Sequence, residues 1–242
     1  MYLDLYKIDG TINNDTEPCF HNPETYPRFQ EELEEFKNLL IELVYLNEPK
    51  TFYKFGDGDY YFLRKEPVGS ATPGRRALSK GYDQINHEAF VTGAELCDYY
   101  TCEIYPTNRA RFADVISRKV DYPAEFGYGL VTNKWLLETF SGRIGLIGAD
   151  QKMNIIQNLM EAPQYQDYLG LEKFEDYISL PQKFACDDID ATEQMVAEQL
   201  KNSTSKIFLM GMGHVKSGLI HRLKKHANAV FLDVGASIDA LA

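Results

Sequence analysis

The chain has 242 residues, 44% hydrophobic and 13% aromatic, enough for a full core and too apolar for a disordered segment. A formal net charge of -11 and a pI of about 5.0 argue against a general binder of nucleic acid or anionic membrane, because those partners need a basic face. That balance leaves a nucleotide site open, since a local cation can neutralise a diphosphate inside an acidic protein.

The first 26 residues are polar and turn-rich and read as an N-terminal arm. From 27 to 46, Leu33, Phe36, Leu40, Leu43 and Val44 recur at helical spacing, with Glu31, Glu32, Glu34 and Glu35 in the early turns. This predicts a long amphipathic helix that stops at Pro49, followed by a strand over 51–55. A short helix carrying Tyr61, Phe62 and Leu63 is expected near Gly58. A Gly/Pro-rich loop over 67–74 then leads to Arg75-Arg76, either a solvated patch or a phosphate clamp. Helices are expected over 83–98 and 108–119, with a strand over 101–105 between them. A further helix carries Trp135, Leu136 and Leu137, capped by Thr132 or Asn133.

The clearest strand is 143–148, ending at Ala149-Asp150, with a helix through Met160. The last third predicts a helix over 187–200, a strand over 206–210, a tight turn at Gly211-Met212-Gly213-His214, a helix over 215–226 and a strand over 229–234. Apolar strands alternating with helices imply a mainly parallel sheet with helices on both faces, an α/β Rossmann-like fold preceded by the amphipathic helix. Residues 27–242 are read as a single domain. Cys19, Cys97, Cys102 and Cys186 form no C-x-x-C pair, so reduced, scattered thiols are expected. The opening Met1-Tyr2-Leu3-Asp4 has no apolar signal core, and no apolar run reaches the about 20 residues that span a bilayer. The expectation is a soluble, cytoplasmic protein without a transmembrane segment, with room for a homo-oligomer.

Four predicted strands end in glycine plus a polar group, and ligands of open parallel sheets bind beyond such carboxyl ends. Gly56-Asp57-Gly58-Asp59 places two carboxylates at i, i+2 on a glycine-rich turn. The pair is either a local turn or the oxygen site of a Mn²⁺ or Mg²⁺ ion that holds a diphosphate. Gly211-Met212-Gly213-His214 lacks the third glycine of a dinucleotide fingerprint and the ending of a Walker loop. It is a tight turn or a diphosphate cradle with His214 as an extra donor. Asp233 and Asp239 bracket Gly235 and Ser237 and serve as caps or as a general base. Asp150 is a helix cap or a nucleotide contact. No G-x-S-x-G elbow and no Cys/His constellation is present.

Together these segments resemble the GT-D glycosyltransferase family, once a domain of unknown function. Lys54-Phe55-Gly56-Asp57-Gly58-Asp59 resembles its R-F/Y-G-D-G-E motif, with Lys54 in place of Arg and Asp59 in place of Glu. The strand ending at Ala149-Asp150 sits where the family has a mid-chain strand. The pair Gly211/Gly213, then Asp233-Val234-Gly235 and Asp239, resembles its closing G-x-G, D-I-G and D pattern. The resemblance covers roughly residues 50–242.

It implies a metal-dependent transfer of a sugar from a nucleotide-sugar, UDP-sugar foremost, to a hydroxyl of a glycan or glycosylated acceptor. Asp57 and Asp59 would hold Mn²⁺ or Mg²⁺. Lys54, Phe55, Gly56, Gly58, Asp150, Gly211, Gly213, His214 and Gly235 would line the donor site, and Asp239 or Asp233 would act as base. The alternatives are a non-catalytic nucleotide or sugar-phosphate binding module and a magnesium-dependent phosphohydrolase.

Overall fold

The computed structural model describes residues 27–66, 85–181 and 185–242. The expected N-terminal arm and the loop with Arg75-Arg76 lie outside the described residues. Seven strands form one sheet: β1 (Lys50–Phe55), β2 (Tyr99–Cys102), β3 (Tyr122–Pro123), β4 (Ile144–Ala149), β5 (Asp176–Leu180), β6 (Ile207–Gly211) and β7 (Val230–Asp233). Their order is β3-β2-β1-β7-β6-β4-β5, and every neighbouring pair is parallel. The mainly parallel α/β fold expected from the sequence is therefore what the chain adopts.

Side chains alternate across a strand, so this sheet divides the core into two layers. Phe52, Leu146, Leu209 and Leu232 face one layer, whereas Tyr53, Ile147, Phe208, Met210 and Phe231 face the other. The first layer is closed by α1 (Phe29–Tyr45), α5 (Ala124–Thr132) and α7 (Asp150–Leu159) through Leu33, Phe36, Phe126 and Ile156. The second is closed by α2 (Asp57–Leu63), α3 (His87–Ala94), α4 (Pro106–Val115), α9 (Ile189–Leu200) and α10 (Lys216–Leu223), through Phe62, Phe90, Phe112, Val196 and Leu219. Burial on both faces explains why the central strands read as unbroken apolar runs. The helix α6 (Trp135–Thr139) begins after Lys134, whose φ is +69°, and the Asn133 side chain accepts from the Trp135 amide at 3.0 Å.

Four elements go beyond the sequence reading, the two-residue edge strand β3 among them. The helix α5 contains Gly127 and Gly129 and has weak intrinsic propensity. It is held by packing: Phe126 lies edge-on to Phe29 at 5.1 Å and against Phe36 at 5.8 Å. The strand β5 and the short helix α8 (Pro163–Leu169) lie in a polar, aromatic stretch with no long apolar run. The strand forms because β4 offers a free edge, pairing from Gly145↔Asp176 to Ala149↔Leu180. Cys97, Cys102 and Cys186 are buried and unbridged, and burial pushes each thiol up to about 12. No helix among the described residues is long and apolar enough to cross a membrane.

Candidate active site

The chain runs outward from β1 through β2 to β3, and β7 pairs on the other side of β1. This reversal makes β1/β7 the switch point of the sheet, where the loops diverge and leave a crevice. A cleft of ≈ 240 Å³ opens there, lined at its base by Lys54, Gly56, Asp57, Gly58 and Asp59. Gly211, Gly213, His214 and Lys216 line a second side, and Asp233, Gly235 and Asp239 a third, with Lys152 reaching in from α7. Gly213 and Gly235 have φ of +59° and +56°, a left-handed conformation that lets the chain turn away from the strand ends and strains other residues.

At the cleft floor is a buried charge cluster. The Lys216 ammonium lies 3.0 Å from Asp59 Oδ2 and 2.9 Å from Asp233 Oδ2. It also donates to the Lys54 carbonyl oxygen and sits 4.9 Å over the Tyr53 ring. Asp59 Oδ2 additionally accepts from the Gly56 amide at 2.8 Å, which closes the first turn of α2. Asp233 accepts from the Lys54 amide at 3.1 Å and from the Gly235 amide at 2.9 Å. All three side chains are nearly inaccessible: Asp59 is 4%, Asp233 3% and Lys216 6% exposed.

Burial opposes the charges of Asp59 and Lys216, and the pairing outweighs it. The Asp59 carboxyl, which burial alone would raise, is held well below the usual carboxylate range by Lys216 and His214. The Lys216 ammonium, which burial alone would weaken, is held above its usual value by Asp233 and Asp59.

His214 stacks on Phe62, with centroids 4.8 Å apart and planes 4° from parallel. Its Nδ1 is 3.7 Å from Asp59 Oδ1, long for a hydrogen bond, and both ring nitrogens are buried without a hydrogen-bond partner in the protein. A buried polar group of this kind calls for a ligand or water. The Lys54 ammonium sits 5.0 Å over the Tyr128 ring and 3.9 Å from Glu103 Oε1. Asp239 is paired with Lys152 at the rim, and its side chain is 58% exposed.

Most of the sequence-expected residues therefore meet in one cleft. Two do not. Phe55 lies in the second core layer, edge-on to Phe112 at 5.3 Å, because strand alternation turns it away from the rim. Asp150 is exposed at the first turn of α7, and its Oδ1 accepts from the Gln151 amide, as in a local turn. Lys152 and Lys216 line the cleft and were missed. The available signal was Lys216-Ser217 directly behind the glycine turn, a lysine at the helix start without the glycine that precedes it in a Walker loop.

The Mn²⁺ or Mg²⁺ expected at Asp57 and Asp59 does not fit between Asp59 and Asp233, while Asp57 lines the cleft with its Oδ1 accepting from the Gly58 amide at 2.7 Å. An ammonium already occupies the position between Asp59 and Asp233 where a cation would sit. Among the described residues no group of three or more His, Cys, Asp or Glu is arranged to hold a metal. Asp233 is engaged by the Lys54 and Gly235 amides and by Lys216, whereas Asp239 stands exposed at the rim.

Beside the cleft, Glu125 is 2% exposed at the start of α5. One carboxylate oxygen accepts from the Ile104 amide at 3.1 Å and the other has no partner. Burial pushes this carboxyl up to about 7. Its native pKa exceeds the unfolded value of about 4.3, so the native state holds the proton more tightly. The stability it contributes is full below about pH 4 and declines as pH rises through about 7, by up to roughly 3 kcal/mol. Asp59, held low, acts in the opposite direction, below its unfolded value of about 3.9. Melting temperatures measured from pH 4 to 8 should fall with pH more steeply for the wild type than for Glu125→Gln. Parallel profiles would contradict the assignment.

No family model matches the sequence, and no curated protein matches it. Solved structures do. One, described as a new glycosyltransferase (DUF1792) from Streptococcus sanguinis, is 11% identical with a TM-score of 0.51, covering 83% of this chain and 80% of that one. A second, described as domain of unknown function 1792 with a distinct glycosyltransferase fold, is 13% identical with a TM-score of 0.52, covering 88% and 78%. A third, a selenomethionine-substituted domain of unknown function 1792, is 10% identical with a TM-score of 0.51, covering 86% and 77%. This chain shares their fold. The motif resemblance to the GT-D family thus holds at the level of architecture.

Proposed function

We propose that this protein is a glycosyltransferase that moves a sugar from a nucleotide-sugar, UDP-sugar being the first candidate, to a hydroxyl of a glycan or glycosylated acceptor. The observation that carries the reading is the convergence of Gly56–Asp59, Gly211–His214 and Asp233–Asp239 on one cleft at the β1/β7 switch point. The architecture shared with structures described as glycosyltransferases supports it.

In this reading the diphosphate lies along the glycine turns of Gly211, Gly213 and Gly235 that line the cleft. Lys54 and Lys152 face it with ammonium groups, and His214 supplies a ring N–H to a donor oxygen. The acceptor oxygen bonds to the anomeric carbon as the bond from that carbon to the phosphate oxygen breaks. The electron pair leaves with the nucleoside diphosphate, where Lys54 and Lys152 stabilise the developing charge. The acceptor proton passes to Asp239, which is exposed at the rim and turned toward Lys152.

A thermal-shift panel of UDP-, GDP-, dTDP- and CMP-sugars tests the donor site. One donor class should raise the melting temperature, and Lys54→Ala should reduce the shift by weakening binding roughly tenfold or more. Absence of any shift across the panel would sink the reading. Binding without transfer or hydrolysis of any donor would favour a non-catalytic binding module.

A further inference from the structure

We propose that Lys216 is the resident cation of this cleft, standing where a divalent metal would otherwise bridge Asp59 and Asp233, so that no metal binds between those two carboxylates. The inference deepens the donor-site reading, because it states how the charge of that site is met.

Four observations carry it. The Lys216 ammonium lies 3.0 and 2.9 Å from one oxygen of each carboxylate, a bridging position. Its third donor direction is taken by the Lys54 carbonyl oxygen, so all three N–H groups are used within the protein. Asp59 Oδ2 is shared with the Gly56 amide and Asp233 Oδ1 is held by the Gly235 amide, so the carboxylates are oriented toward the ammonium. The Tyr53 ring closes the remaining side, and Tyr53 is itself fixed by a 2.8 Å hydrogen bond to Ser217 Oγ.

A magnesium ion needs oxygen ligands at about 2.0–2.1 Å in near-octahedral array. Around Asp59 and Asp233 it would meet a buried ammonium within contact distance, and like charges so close and so poorly solvated repel strongly. A lysine in the bridging position ties together the end of β1, the start of α2, the end of β7 and the start of α10. It does so as part of the chain, at any metal concentration.

The same placement separates two tasks that a metal would combine. Lys216 has no N–H left for a diphosphate, so it positions the carboxylates and the cleft floor. The cations that can meet the diphosphate are Lys54 and Lys152, both lining the cleft.

The test uses manganese chloride alone, without nucleotide, so it is independent of what the donor is. Free Mn²⁺ is followed by its paramagnetic resonance signal and the protein by its melting temperature. The wild type should take up no manganese and show no shift, with or without EDTA. Lys216→Ala leaves two buried carboxylates facing an open position. It should melt lower than the wild type and take up one manganese, recovering roughly 5–10 °C at a hundredfold excess over Kd.

Stoichiometric uptake by the wild type that Asp59→Asn abolishes would overturn the proposal. So would a folded Lys216→Ala protein that takes up none. If Lys216→Ala does not fold, the wild type and Asp59→Asn decide the matter between them. Neither outcome depends on glycosyl transfer. Failure of the donor panel with this result intact would remove the activity and leave the resident cation in place.

Discussion

Asp233→Ala is expected to lower stability by about 3–5 kcal/mol, because it leaves Lys216 buried beside a single carboxylate and strips the Lys54 and Gly235 amides of their acceptor. For a chain of this size the loss corresponds to a drop of roughly 6–20 °C in melting temperature. Asp233→Asn separates the two roles the sequence allowed this residue. It retains an acceptor oxygen and removes the charge. A catalytic base would lose turnover with the melting temperature unchanged. An anchor would lose stability with charge, and nucleotide binding would weaken alongside it. Unchanged melting of Asp233→Asn together with abolished turnover would return Asp233 to the catalytic role.

Gly211→Ala should be nearly as damaging, by a steric route. A Cβ at Gly211 would overlap Ile238 Cγ2 and stand 2.9 Å from the Gly235 carbonyl oxygen. The methyl group has no space, and one of the atoms it meets is backbone. The 3₁₀ turn Gly235–Leu241, which carries Asp239, would have to move off the end of β6. Overpacking of this kind costs about 1–3 kcal/mol, and the upper end is expected where backbone must shift. The melting temperature should fall by roughly 6–12 °C, and any donor-induced shift should shrink more than stability alone explains. A variant with wild-type melting and wild-type donor binding would show that the turn is softer than its packing implies.

Both effects trace to the place where the chain brings distant segments together, and this is where sequence reading reached its limit. The amphipathic spacing of Leu33, Phe36 and Leu40 predicts α1, and the apolar runs of β1, β4, β6 and β7 predict a parallel sheet, because hydrophobic periodicity is a local signal. The helix α5 and the strand β5 have no such signal. One is stabilised by Phe126 packing on Phe29 and Phe36, and the other by the open edge of β4. The glycine-bearing strand ends were readable for the same reason as the strands. Their convergence followed from the general rule that parallel sheets bind ligands at the carboxyl rim.

By itself the sequence determined the fold class, the strand ends that form the cleft and the carboxylates at its floor. It could not determine what those carboxylates hold. Asp57 and Asp59 at i, i+2 read equally as a turn or a metal pair, because spacing along the chain says nothing of a partner from elsewhere. Tertiary structure supplied that partner: Lys216, 162 residues beyond Lys54, whose carbonyl it binds, joins Asp59 to Asp233 across the β1/β7 crevice. A buried charge is tolerated only when an opposite charge lies within a few ångströms. Which charge that is depends on where the strands pair and how the helices start, and only the folded chain decides it.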